Sequence, residues 1–184
     1  MKKLFLTAVL AAFFLPLAFA QDALNLITNN FGARNYVEGS IPKADIEKIV
    51  MAGVRAPSAN NKQPWKFVVV QDKALAAKLI RNMPDGSFLV VIYTESTVEA
   101  NPNIYLDCGL ATENIYLAAQ ALGYGSRIYT GPVRSIDNKM KADLGIPAKN
   151  TVISIVRVGC LPDNVDAVSA ASSRKSYDSV VSYK

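Results

Sequence analysis

The chain has no histidine at all, and only two cysteines, Cys108 and Cys160, among 184 residues. Without imidazole, serine–histidine hydrolases, histidine general bases and the usual histidine-containing zinc sites are excluded. Two cysteines do not make a disulfide framework. An oxidising compartment would permit one bridge between them; the plainer reading is two buried, small apolar side chains. Charged residues are sparse at 19%, and the net charge of +5 is not gathered into any run. Nucleic-acid binding gets little support from such a surface. What is abundant is apolar: 51% of the residues are hydrophobic, which argues against disorder. A chain of this length can bury one sizeable core without a disulfide or metal staple.

The first twenty residues form a unit of their own. Lys2 and Lys3 precede an apolar run from Leu4 to Ala20, broken only by Thr7 and Pro16, and the run closes on Ala18-Phe19-Ala20. A positive start, an apolar middle and a small-x-small end are the three parts of a secretory signal. Seventeen residues containing a proline are short for a membrane span. The segment therefore predicts export to the periplasm or medium, cleavage after Ala20 and no membrane attachment afterwards. Residues 21–184 then form one domain. Its charge balance falls to 18 basic against 15 acidic residues once Lys2 and Lys3 are removed.

Along the mature chain, residues 22–28 read as a short helix with Leu24 and Ile27 facing inward. Ser40 to Pro42 reads as a helix start, with Pro42 in the first turn, and Ile46, Ile49, Val50 and Gly53 follow at helical spacing. Ala56 to Asn61 is a loop. Trp65 to Val70 is a valine-rich strand, with Trp65 as packing, and Asp72 caps a helix carrying Leu75, Leu79 and Ile80. Phe88 to Tyr93 is apolar throughout, as expected of a strand covered on both faces. The longest helix runs from about Asn103 to Leu122, with Ile104, Cys108, Ala111, Ile115, Ala118 and Leu122 on one face. Leu110, Leu117 and Ala121 extend its apolar character round the cylinder, which suits the middle of a domain or a subunit interface. Gly123-Tyr124-Gly125 ends it. A strand near Arg127–Thr130, a helix near Ile136–Leu144 and a strand near Val152–Val158 complete an α+β pattern of sheet with helices packed on it.

The run Ala56-Pro57-Ser58-Ala59-Asn60-Asn61-Lys62-Gln63-Pro64-Trp65 resembles the APS-x-x-N-x-Q-P-W signature of the FMN-dependent nitroreductase family. Arg34-Asn35-Tyr36 is similar to the end of that family's R-x-S-x-R-x-[FY] phosphate segment. The long helix with its glycine exit, Leu144-Gly145-Ile146-Pro147, and Val158-Gly159-Cys160-Leu161-Pro162 follow in family order, and the likeness covers about Asn29 to the end. The resemblance implies a nitroreductase-like fold with a central, mostly antiparallel sheet flanked by helices and the long helix at a homodimer interface. It implies two flavins per dimer and a C-terminal strand reaching the partner's sheet.

For the site, the resemblance implies that Arg34 and Arg174 hold the FMN phosphate, whose two charges suit guanidinium forks. It places Pro57, Ser58, Asn61 and Gln63 against the flavin, which the backbone of Tyr129, Thr130 and Gly131 also lines. No side chain is assigned a catalytic role and no metal is expected, because the flavin carries the hydride. The implied activity is ping-pong reduction of small electrophilic organics, such as nitroaromatics or quinones, with NAD(P)H as electron donor.

Each of these residues also has a plainer reading. Arg34 and Arg174 taken singly are ordinary surface arginines, and Ser58 and Asn61 make turns without any ligand. Asn30 and Gly32 stand where the family has its first arginine and serine. One lost charge-assisted contact, worth about 1.5–3 kcal/mol, predicts FMN binding weaker by roughly ten- to a hundredfold. Backbone N–H groups around Gly32, or Lys175, are the candidate substitutes. Little chain lies between the second strand and the long helix to cover a flavin. Nicotinamide cofactors are not expected in quantity outside the cytoplasm. Two alternatives therefore stand beside the reductase: an exported flavin-binding protein, and a degenerate homodimer that binds another small ligand without NAD(P)H-dependent activity.

Overall fold

A computed structural model describes residues 22–164 and 173–184. The predicted signal segment lies outside the described residues. Four strands form one antiparallel sheet in the order β1-β2-β4-β3: β1 (Trp65–Val70), β2 (Phe88–Thr94), β3 (Gly125–Tyr129) and β4 (Thr151–Gly159). Helices cover both of its faces. The sequence α+β reading is borne out.

The two faces follow from strand alternation. Phe88, Val90 and Ile92 of β2 turn to one side with Val156 and Val158 of β4, and meet α2 (Lys43–Val54) and α4 (Ile104–Ala121). Leu89 and Val91 turn to the other side with Val152 and Ile155, where α3 (Lys73–Leu79) brings Ala76 and Leu79. With both faces occupied, β2 has no solvent side, hence its unbroken apolar run. Helices α2 and α4 approach closely at Gly53, where a Cβ would lie 2.6 Å from Cδ1 of Ile115. Thr112 on α4 donates to the carbonyl oxygen of Cys108 at 2.7 Å and meets Ser154 Oγ at 2.7 Å, so buried hydroxyls on the helix and on β4 satisfy each other.

Several expectations are corrected. Helix α1 forms over residues 22–29, but Leu24 and Ile27 are 55% and 56% exposed instead of facing inward. Pro42 sits just before α2 as its N-cap, one residue earlier than the first turn. The helix read over Ile136–Leu144 is a single turn, α5 (Val133–Ser135), running into a wider-wound stretch at Ile136–Met140 and then turns. Leu110 and Leu122 on α4 are both 37% exposed. Cys108 and Cys160 are free thiols, the first buried, as the plainer reading expected. No helix among the described residues is long and apolar enough to cross a membrane.

Candidate active site

The segment from Asn30 to Val37 has no regular secondary structure except a single bridge, yet it is firmly placed. Gln120 on α4 accepts from Phe31 N at 3.3 Å and donates to Phe31 O at 3.1 Å, and its amide also reaches Ser126 Oγ at 2.9 Å. Ala33 N donates to Ser126 O at 2.9 Å, and Val37 bridges to Cys160. Tyr116 on α4 donates to the side-chain oxygen of Asn30 at 3.1 Å. The N–H groups of Phe31 and Ala33, on either side of Gly32, are therefore engaged within the fold.

Pinning this segment carries Arg34 to the rim of two clefts. The smaller, about 440 Å3, is lined by Asn30, Gly32, Arg34, Glu113, Tyr116, Arg127, Ile128 and Arg174. Arg34 and Arg174, chosen from the sequence as a pair, thus share one cleft although 140 positions separate them. Arg127 on β3 is a third guanidinium that sequence reasoning missed. Its signal was available, since a strand at a sheet edge leaves a long cation free to lean outward. Lys175 is not among the lining residues. Glu113 is the one carboxylate among the described residues lining this cleft, and desolvation pushes its pKa above the ordinary glutamate range.

The larger cleft, about 730 Å3, includes Arg34, Tyr36, Lys73, Arg81, Asn82, Tyr129 and Arg157 in its walls. Tyr129 belongs to the predicted flavin-lining stretch, whose other members, Thr130 and Gly131, follow it in an exposed loop. Gly159 is required here. A Cβ on it would lie 2.6 Å from Ser87 Oγ and 2.7 Å from Cδ1 of Tyr36.

The loop carrying Pro57, Ser58, Asn61 and Gln63 lines neither cleft. It is nonetheless rigidly built. Asn60, Asn61 and Gln63 adopt positive φ of 52°, 54° and 46°, a conformation that asparagine tolerates and glutamine rarely takes. Ser58 Oγ accepts from Gln63 N at 2.9 Å, and Gln63 Nε2 donates to Asn61 Oδ1 at 2.9 Å. Asp107 on α4, 1% exposed, accepts from Ala59 N at 2.9 Å and from Asn101 Nδ2 at 3.3 Å. Strained backbone held this way marks functional loops more often than connecting ones.

A helix-flanked antiparallel sheet, with an arginine-lined cleft at its edge strand and a strained APS-type loop tied to α4, fits the nitroreductase class that the sequence resembles. Comparison with known proteins makes the assignment specific. The model of the nitroreductase family matches residues 32–86 and 81–160. A protein of Archaeoglobus fulgidus, provisionally named an NADH dehydrogenase/NAD(P)H nitroreductase, is 36% identical over 157 residues, covering 79% of this chain and 89% of its own. An FMN-dependent nitroreductase of Clostridium difficile superposes with a TM-score of 0.72 at 23% identity, over 87% of this chain and 98% of the other. A nitroreductase of Bacteroides fragilis with bound FMN gives a TM-score of 0.72 at 19% identity, over 88% and 97%. The chain belongs to the nitroreductase family.

Proposed function

We propose that the protein is an FMN-dependent oxidoreductase that takes electrons from NAD(P)H and reduces small electrophilic organics such as nitroaromatics or quinones. The observation that carries this reading is the meeting of Arg34, Arg127 and Arg174 on one cleft, beside the backbone of Tyr129 to Gly131. Three guanidinium groups suit a phosphate dianion, and Arg127 supplies the charge that Asn30 fails to provide. Arg34, shared by both clefts, would lie between the phosphate and the remainder of the cofactor. FMN held by these residues would supply the two-electron redox chemistry between NAD(P)H and the acceptor.

The working unit in this proposal is a homodimer. Leu24, Ile27, Tyr105, Leu106 and Leu110 leave apolar surface exposed on α1 and α4, as expected of a face that pairs with a second copy. The loop from Pro57 to Gln63, remote from the clefts of its own chain, would then serve the partner's flavin. Export with cleavage after Ala20 is part of the same proposal, resting on the N-terminal pattern.

The test is to load the purified protein with FMN and follow NAD(P)H oxidation with and without a nitroaromatic acceptor. Acceptor-dependent turnover supports the reductase. Retained flavin without turnover favours the exported flavin-binding alternative, and no retained flavin overturns the cofactor assignment.

A further inference from the structure

Arg157 sits where the sheet should be apolar. It lies on β4 between Val156 and Val158 and is 4% exposed. Alternation turns its side chain to the face of Ile155, and its register partner across the ladder on β3 is another cation, Arg127. Like charges directly opposite in a ladder disfavour the pairing. Arg157 donates from Nη2 to the carbonyl oxygen of Asn82 at 2.6 Å, and its guanidinium carbon lies 3.8 Å from the centre of the Tyr36 ring. Its Nε and the Tyr36 hydroxyl are buried without a hydrogen-bond partner. None of the ion pairs among the described residues includes it. An arginine does not shed its proton to escape such a position. The cation is therefore permanent, buried and without a carboxylate partner among the described residues, and it lines the larger cleft with Arg34, Arg81 and Lys73, of which Lys73 is paired with Asp85; Glu38 is the one carboxylate among the described lining residues.

We infer that Arg157 is a redox-tuning residue, whose fixed charge beneath the larger cleft favours the reduced over the oxidised form of a flavin bound there. The inference rests on the FMN reading above. Reduction by a hydride from NAD(P)H delivers two electrons and one proton, so the ring system gains one negative charge. A nearby cation in a low-dielectric wall stabilises that charge more than it stabilises the neutral oxidised ring. Arg157 thus acts through its field, while its contacts with Asn82 and Tyr36 hold it in place.

The experiment compares the wild-type protein with Arg157→Gln and Arg157→Lys, each loaded with FMN, by dye-equilibrated reductive titration. Arg157→Gln keeps a donor toward Asn82 but loses the charge. It should lower the preference for reduced over oxidised flavin about tenfold, or roughly 30 mV for a two-electron couple. Arg157→Lys should keep most of that preference. A merely structural role would weaken both forms of the flavin equally and leave the potential unmoved. An unchanged potential in Arg157→Gln overturns the inference while the FMN reading stands; a wild-type protein that retains no flavin removes both. Should Arg157→Gln fail to fold, Arg81→Glu places opposite charge at the exposed rim of the same cleft. It must shift the potential in the same direction, and no shift overturns the inference.

Discussion

Asp107, in the first turn of α4, accepts a hydrogen bond from the backbone N–H of Ala59 at 2.9 Å, forty-eight residues away along the chain. That bond and the one from Asn101 tie the strained loop to the end of the longest helix. The helix N-terminus also favours the negative charge. The signature loop is thus held in shape by a residue that belongs to no part of the signature.

Removing Asp107 should loosen the loop before it disturbs the sheet. Asp107→Ala leaves the half-buried Ala59 N–H and the buried Asn101 amide without this partner, at a cost of about 1–3 kcal/mol. The expected result is a lower denaturation midpoint and faster proteolysis between Pro57 and Pro64. A midpoint and a cleavage pattern both equal to wild type would show that the loop holds itself.

The three arginines of the smaller cleft should each matter to cofactor affinity. Arg34→Ala, Arg127→Ala and Arg174→Ala are each expected to weaken FMN roughly tenfold or more, from the loss of a charge-assisted contact. Lys175→Ala should change little, because Lys175 does not line that cleft. Flavin fluorescence titration reads all four, and unchanged affinity in the first three would refute the phosphate assignment.

Glu113 opposes those arginines. Its pKa is raised by desolvation, so the folded protein holds a proton on it that the unfolded chain has already released. Its contribution is therefore present at acid pH and lost as pH rises through the raised value. Glu113→Gln should flatten the stability profile across that window and leave the protein no less stable at pH 7. The same change removes a negative charge from the cleft, so FMN should bind several-fold more tightly at pH 7. Weaker binding would mean that the carboxylate organises the arginines instead of competing with the phosphate.

The cysteines should differ in reactivity. Burial, with Asp107 beside it, pushes the Cys108 thiol up to about 12, so almost no thiolate forms at neutral pH. Cys160 is only half-buried. Brief alkylation of the native, unreduced protein should add one label, at Cys160, and denaturation should expose a second thiol. Finding no thiol in the denatured, unreduced protein would instead show that the two are paired.

The fold was legible wherever one periodicity dominated. The apolar run from Phe88, the cap at Asp72 and the spacing from Ile104 to Ile115 each name an element that the structure contains, within a residue or two at the ends. The helix read over Ile136–Leu144 went wrong because Leu144 and Ile146 reach the core from turns, where burial no longer reports helical spacing. Leu24 and Ile27 misled for a different reason. Apolar spacing shows that a face wants cover, and it does not say that the same chain provides it.

The site was half legible. The paired choice of Arg34 and Arg174 came from motif order, and the structure brings both to one cleft. Arg127 and Arg157 escaped notice because arginine in a strand reads as solvent-facing; only register shows that they face each other across the ladder. The role of Asp107 was hidden for the same reason, since no local spacing links it to Ala59.

The central claim is that this chain holds FMN. Its most direct test is the visible absorption spectrum of the purified protein, spanning residues 21–184, after saturation with FMN and removal of free flavin. The account predicts a yellow protein retaining close to one flavin per chain, with retention reduced by Arg34→Ala. A colourless protein at saturating FMN would contradict it, and would mean that the arginine cleft serves a different anion.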